Sequence, residues 1–307
     1  MTDRKIILDA DPGIDDAVAM AVLLGACKER VTLMISTYGN IPLEKTTRNA
    51  LSLMALLGAD IPVVRGLSQP GEGNAIYEDA SYIHGGDGLG GLQENDLLRN
   101  LPVREAVEGD CLQIVYDAIV EAGSVDYITL GPMTNLAALI TRFPDVTQYL
   151  HRVITMGGGI GLGNVTEHAE FNFYCDAESA QKVFDSVPEL LLAPIDITTQ
   201  VNFSMEQIAA IGTAGTPVAK AMEAMLALNY TQCVAYGEPG ATMHDSTAVL
   251  AYLYPELFEF RSCGIRMECE RERYGESTVA DGDNVRLMVK ANAARLLEII
   301  AEHIAAY

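Results

Sequence analysis

The sequence predicts an α/β fold: a single domain with a mainly parallel, Rossmann-like open sheet flanked by helices, plus a C-terminal helical and strand extension. Three observations predict it. Short β-branched runs alternate with helical patterns through the first two-thirds of the chain, as βαβ units require. Of 307 residues, 49% are hydrophobic and 20% charged, ample for a packed core and unlike a disordered or disulfide-scaffold composition. No linker, composition shift or internal repeat interrupts the pattern, so residues 1–307 read as one domain.

Each element follows from its local pattern. KIIL (5–8) is an apolar run fit for a buried strand, and apolar residues recur at helical spacing through Asp15–Ala26. VTLMIST (31–37) and Thr46–Leu57 repeat the pair, and PVV (62–64) opens a long loop, glycine-rich over 68–102. A helix near Asp110–Ala122, a strand at Asp126–Leu130 and a helix at Thr134–Thr141 come next. RVITM (152–156) leads through glycines to a helix at Asp176–Phe184, and LLLAPID (190–196) follows. The last third holds helices over 217–235 and 244–254, strand-like segments at 258–270 and 284–290, and a closing helix. Ligands of open parallel sheets bind beyond the carboxyl ends of the strands. That directs attention to Asp9–Asp16, Tyr38–Asn40, Leu130–Asn135, Met156–Gly159 and Asp196.

Charge narrows the partners. Acidic residues outnumber basic ones 42 to 20, for a formal charge of -22. Such a field repels phosphate backbones and anionic lipid, so neither nucleic acid nor a membrane surface is expected as a partner. It favours neutral or cationic ligands, or a bound metal. The first residues lack the apolar core of a signal peptide, and no stretch of ~18 apolar residues is present. Cysteines at 27, 111, 175, 233, 263 and 269 form no C-x-x-C pair and read as thiols in a reducing compartment. The expectation is a soluble cytoplasmic protein.

DADPGIDD places Asp9, Asp11, Asp15 and Asp16 within eight residues. Asp9 and Asp11 are two apart at a strand end and so share a face. Pro12-Gly13 turns the chain, and Asp15 and Asp16 open a helix whose dipole favours negative charge. Helix capping accounts for one or two of these carboxylates. Four are too many: pairs at about 6 Å cost ~3 kcal/mol each at an effective dielectric of ~20, against ~1 kcal/mol returned per charge at a helix terminus. A hard cation held by oxygen ligands balances them. The glycine position and Met20 in place of a glutamate exclude an EF-hand, and so many carboxylates favour Ca²⁺ over Mg²⁺.

Other segments carry weaker signals. His244-Asp245 pairs a proton donor with a fifth carboxylate at a helix start, although an N-cap Asp beside an incidental His reads equally well. AEFNF (169–173) sets Glu170 and Asn172 on one side of an extended segment with Phe171 between, suited to a sugar and a stacked base, or to a plain loop. His84 lies in the long loop, and loops of that length are commonly functional. GDGLGG (86–91) matches G-x-G-x-x-G but has no strand before it and no clear helix after it, which argues against dinucleotide binding. GGG (157–159) permits close backbone approach without a P-loop lysine. Tyr230 and Tyr236 read as packing residues.

Taken together these residues resemble the nucleoside hydrolase family of the inosine–uridine preferring type. DADPGIDDA matches its D-x-D-x-G-x-D-D signature, and TYGN, TRNA, the histidine of IHG, LGPMTN, MGGG, AEFN and the HD pair follow in family order. The resemblance covers nearly the whole chain. It implies Ca²⁺ held by Asp11, Asp16, Asp245 and the backbone carbonyl of Leu130, with Asp9 supporting the metal site from behind. It implies ribose contacts from Asp15, Asn40, Met156, Glu170, Asn172 and Asp245, and places His84 near the nucleoside. His244 matches the histidine that assists the leaving base; purine-specific relatives use a tryptophan, and this chain has none. The segment between Tyr230 and His244 is shorter than in familiar members. The family further implies a homodimer or homotetramer.

The chemistry agrees. Cleaving an N-ribosidic bond passes through an oxocarbenium-like sugar and needs an activated water, clamps on the ribose hydroxyls and a proton for the departing base. Asp11 can accept the water proton and His244 can donate. A catalytically silent ribose- or metal-binding homologue remains the alternative. A metal-dependent phosphohydrolase is a further one, against which Pro12-Gly13 and the acidic charge both count.

Overall fold

The computed structural model describes residues 4–71, 77–270 and 272–307. Among the described residues ten strands are formed: β1 Lys5–Ala10, β2 Val31–Ser36, β3 Val63–Arg65, β4 Val125–Thr129, β5 Leu150–Met156, β6 Leu190–Ala193, β7 Asn202–Phe203, β8 Ala241–Thr242, β9 Phe258–Met267 and β10 Ser277–Ala291. Eight of them make one sheet in the order β3-β2-β1-β4-β5-β6-β10-β9, and β7-β8 make a two-stranded ribbon. Every pair in the large sheet is parallel except the terminal β10–β9 pair. The single α/β domain with a mainly parallel sheet is as the sequence predicts.

Alternation along the strands builds two cores. Ile6, Leu8 and Ala10 of β1 face one layer, where the helices Ile14–Cys27, Pro217–Ala235, His244–Leu253 and Ala293–Ala305 pack. Ile7, between them, faces the other layer, with the helices Cys111–Ala122, Thr134–Arg142 and Ala177–Ser186. Helices on both faces leave β1 buried from Ile6 to Ala10, which is why its apolar residues run on continuously rather than alternate.

The differences from expectation are local. The segment at 284–290 is the end of a longer strand, whose first half is polar and exposed and pairs only with the edge strand β9. The helix Met205–Gly212 and the β7–β8 ribbon were not anticipated. The long loop carries a short helix, Ser81–His84, that enters the site. AEFNF is not extended: Glu170 is an N-cap and Phe171–Cys175 is helical, because the Glu170 carboxylate captures the backbone N–H groups of Asn172 and Phe173. No helix among the described residues is long and apolar enough to cross a membrane.

Candidate active site

The carboxyl ends of the central strands open into a cavity of about 360 Å³. Asp15, Asn40, His84, Leu130, Met156, Glu170, Phe171, Asn172, His244 and Asp245 all line it, drawn from segments far apart in the chain. Asp11 and Asp16 lie just behind this wall, fully buried and tied to it through Asn40. The Asn40 backbone nitrogen donates to Asp11 Oδ2 at 2.7 Å, and its Nδ2 donates to Asp16 Oδ2 at 2.9 Å.

The turn after β1 explains this geometry. Gly13 caps the helix Ile14–Cys27, and its backbone nitrogen donates to Asp16 Oδ2 at 2.9 Å. A Cβ at Gly13 would stand 2.7 Å from His84 Nδ1 and 2.8 Å from Asn40 Nδ2, so this close approach admits only glycine. Strand β1 ends at Ala10, so the alternation expected to align Asp9 with Asp11 stops one residue short. Asp9 is instead held by the Tyr127 hydroxyl at 2.8 Å and Asn135 Nδ2 at 3.0 Å. Burial pushes its carboxyl up to about 7.

The carboxylates fit a hard cation. Asp15, Asp16 and Asp245 each offer an oxygen within 4.8 Å of the others, all buried. Among the described residues Asp11 Oδ1, Asp15 Oδ1 and Asp16 Oδ1 are buried without a hydrogen-bond partner, a costly state for ionised groups unless a cation meets them. Burial pushes Asp15 and Asp16 up to about 6, the latter also through repulsion by Asp15. Asp11 and Asp245 are raised well above the ordinary range, first by burial and then by neighbouring aspartates. The geometric cluster thus pairs Asp16 and Asp245 with Asp15, while Asp11 approaches from behind. All the donors are hard oxygens, as Ca²⁺ or Mg²⁺ prefers.

Opposite these groups Asn172 Nδ2 donates to the Leu130 carbonyl at 2.8 Å and to the Met156 carbonyl at 3.3 Å, tying three strand-end segments together. Both oxygens of Glu170 accept backbone N–H groups, with Gly158 at 2.6 Å the shortest, and burial pushes its carboxyl up to about 7. Glu170 therefore reaches the cavity with its acceptors already engaged. His244 Nδ1 lies 2.7 Å from Thr198 Oγ1. Enclosure, with a smaller push from His84, lowers its pKa to about 4, so the resting ring is neutral.

Several lining residues went unread in the sequence. Tyr82, Asn229, Cys233 and Glu238 line the cavity, and Tyr236 does so with 63% of its surface exposed. Tyr236 rests on Tyr82 with ring centroids 5.4 Å apart instead of packing in the core, whereas Tyr230 packs against the core. The signal available for Asn229 and Cys233 was their i, i+4 spacing, which puts both on one face of the helix Pro217–Ala235.

Comparison with known proteins agrees with this geometry. Residues 6–298 match the profile described as inosine-uridine preferring nucleoside hydrolase. The non-specific ribonucleoside hydrolase RihC of Klebsiella pneumoniae is 34% identical over 298 residues, spanning 97% of this chain and 94% of the relative. Its namesake from Escherichia coli O127:H6 is 32% identical over 311 residues, with 98% of each covered. Among solved structures, a plant nucleoside hydrolase superposes with a TM-score of 0.90 at 27% identity over 100% of both chains. A purine-preferring ribonucleoside hydrolase from Gardnerella vaginalis has the same fold, with a TM-score of 0.90 at 24% identity over 99% of this chain and 98% of its own. A profile match over nearly the whole chain, with relatives of this identity and coverage, establishes that the chain belongs to the inosine–uridine preferring nucleoside hydrolase family and is a nucleoside N-glycosidase.

Proposed function

We propose that the cavity hydrolyses the N-ribosidic bond of ribonucleosides in a Ca²⁺-dependent reaction, giving ribose and a free purine or pyrimidine base. The observation that carries this reading is the buried aspartate cluster, with orphaned oxygens, beside a cavity that His84 and His244 also line. Asp11, Asp16, Asp245 and the Leu130 carbonyl would hold the cation, with Asp15 at the edge of the set. When bound, the cation would orient ribose hydroxyls and lower the pKa of a water.

The remaining work falls to side chains. Asp15, Asn40, Asn172 and Asp245 would accept from or donate to the ribose hydroxyls, with Met156 against the sugar, and Phe171 would flank it. Asp11 Oδ1, free of any hydrogen bond, would take the proton of the attacking water. Carboxylates around the ring would favour the positive charge that develops on the sugar. His244 would donate to the base as it departs; when Thr198 donates to Nδ1, the ring proton sits on Nε2. Among the described residues the lining contains no lysine or arginine, so neutral nucleosides suit it better than nucleotides. Cysteine spacing without a C-x-x-C pair suits a reducing cytoplasm, and the family reading carries the expectation of a homo-oligomer.

The test is kcat/KM for inosine, adenosine, uridine, cytidine and xanthosine, with 2′-deoxyinosine beside inosine. Turnover of ribonucleosides with strong rejection of the deoxy compound, up to ~10⁴, is expected of a site built to bond a hydroxyl. Absence of base release from every ribonucleoside by the Ca²⁺-replete protein would overturn the reading in favour of a silent homologue.

A further inference from the structure

One wall of the cavity is unexplained by the chemistry of the sugar. Asn229 and Cys233 stand four residues apart on one face of the helix Pro217–Ala235, and Glu238 follows just beyond its end. The three are stitched together. Cys233 Sγ donates to Asn229 Oδ1 at 3.5 Å, and the backbone nitrogen of Glu238 donates to the Cys233 carbonyl at 2.9 Å. Asn229 is 2% exposed, yet its Nδ2 makes no hydrogen bond among the described residues. The Glu238 carboxylate, also on the cavity and only half-buried, has neither a hydrogen bond nor an ion pair among the described residues. Desolvation raises its pKa. A buried amide donor and a half-buried carboxylate acceptor therefore line the same cavity without a hydrogen-bond partner among the described residues, which leaves both available to a ligand.

That partner has a defined shape. The ribose hydroxyls are matched by the aspartates and Asn172 on the other elements, which leaves the base. A carboxylate has two oxygens and accepts best from two adjacent N–H groups, and an amide N–H needs a carbonyl beside them. Among the common bases only guanine carries N2–H, N1–H and a C6 carbonyl in a row. Hypoxanthine and uracil offer a single N–H. Adenine and cytosine set a bare ring nitrogen next to the amino group, whose lone pair a carboxylate repels.

We propose that Glu238 and Asn229 read the edge of the base and make guanine-bearing ribonucleosides the preferred substrates, Glu238 accepting from N1–H and N2–H and Asn229 donating to O6. This rests on the ribonucleoside reading given above. Glu238 and Asn229 act here as specificity residues, distant in role from the aspartates and His244.

Guanosine and inosine differ only in the 2-amino group, so the ratio of their kcat/KM values isolates the Glu238 contact. In the unmodified protein the ratio is expected at ~10 or more, the usual worth of one hydrogen bond to a charged group. Glu238→Gln and Glu238→Ala should each bring it down ~10-fold or more. Glu238 makes no side-chain contact that folding depends on, and a melting curve for each variant checks this. Asn229→Ala should lower guanosine and inosine relative to adenosine, which lacks O6. A ratio at or below one in the unmodified protein, or a ratio unmoved by both Glu238 substitutions, overturns the inference while leaving ribonucleoside hydrolysis intact. Failure to release base from any ribonucleoside overturns both.

Discussion

His84 Nδ1 accepts a 3.1 Å hydrogen bond from the backbone nitrogen of Ile14, the first residue of the helix that carries Asp15 and Asp16. The bond ties the short helix of the long loop to the aspartate turn. It satisfies a helix N-terminal N–H that would otherwise be orphaned, and it leaves the ring proton on Nε2. Burial lowers the pKa of His84 to about 4, in keeping with a neutral acceptor. His84 is thus a clamp on the aspartate turn as well as a wall of the cavity.

Replacing His84 with alanine should leave the Ile14 nitrogen buried and unpaired, costing ~1–3 kcal/mol of stability. Urea unfolding with and without Ca²⁺ measures this, and the affinity for Ca²⁺ should weaken in parallel. Unchanged stability and unchanged affinity would show that the bond carries no strain-bearing role.

The metal-free protein should lose stability as pH rises from about 4 to 6. Asp15 and Asp16 titrate at about 6 in the fold because burial disfavours their charge, against ~3.9 for an unfolded aspartate. Between those values the folded state holds more protons than the unfolded state, so stability falls with rising pH. A cation reverses the preference by favouring the ionised forms. Added Ca²⁺ should therefore raise Tm more at pH 7.5 than at pH 5 in chelator-treated protein. Equal shifts at both pH values would count against a carboxylate site.

Asp11→Asn should lower kcat at least ~10²-fold. KM should change less, provided that the variant retains its calcium, which elemental analysis checks. The substituted amide keeps an oxygen for the Asn40 backbone nitrogen, so the turn should survive. A near-normal kcat in metal-replete variant protein would assign water activation to another residue.

His244→Ala should depress inosine hydrolysis by ~10²–10⁴. A nitrophenyl riboside, whose phenolate departs unaided, should lose far less. An equal fall for both substrates, with calcium retained, would make His244 a positioning residue for the sugar or for Thr198.

What the sequence shows, and what it hides, follows from how far apart the interacting groups are. The strands were legible because helices cover both faces of the sheet and demand continuous apolar runs such as KIIL and LLLA. The carboxylate cluster was legible because Asp11, Asp15 and Asp16 crowd into one turn. The clamp by His84 was not, since it joins residues 70 apart in the chain and neither position advertises the other. Glu170-Phe171-Asn172 reads as strand alternation, but a carboxylate that can reach two following N–H groups folds the segment into a helical turn. The helix Met205–Gly212 had its signal in plain view: Ser204 and Gln207 form a capping box. Asn229 and Glu238 belong to an ordinary-looking helix and its exit, and only the cavity gives them a meaning.

Asp245 meets Asp15 and Asp16 from almost the opposite end of the chain, on a helix packed against the one that they open. During synthesis the first six strands of the sheet leave the ribosome well before the helix His244–Leu253 does. A nascent chain therefore exposes an acidic turn that can attract a cation weakly but cannot enclose it. On the proposed cation-bound reading, capture would become tight only when the late helix docks, and docking in turn would be rewarded by the captured ion. Calcium supply should then govern the yield of folded enzyme as well as its turnover, and truncation before residue 244 should leave a chain with neither.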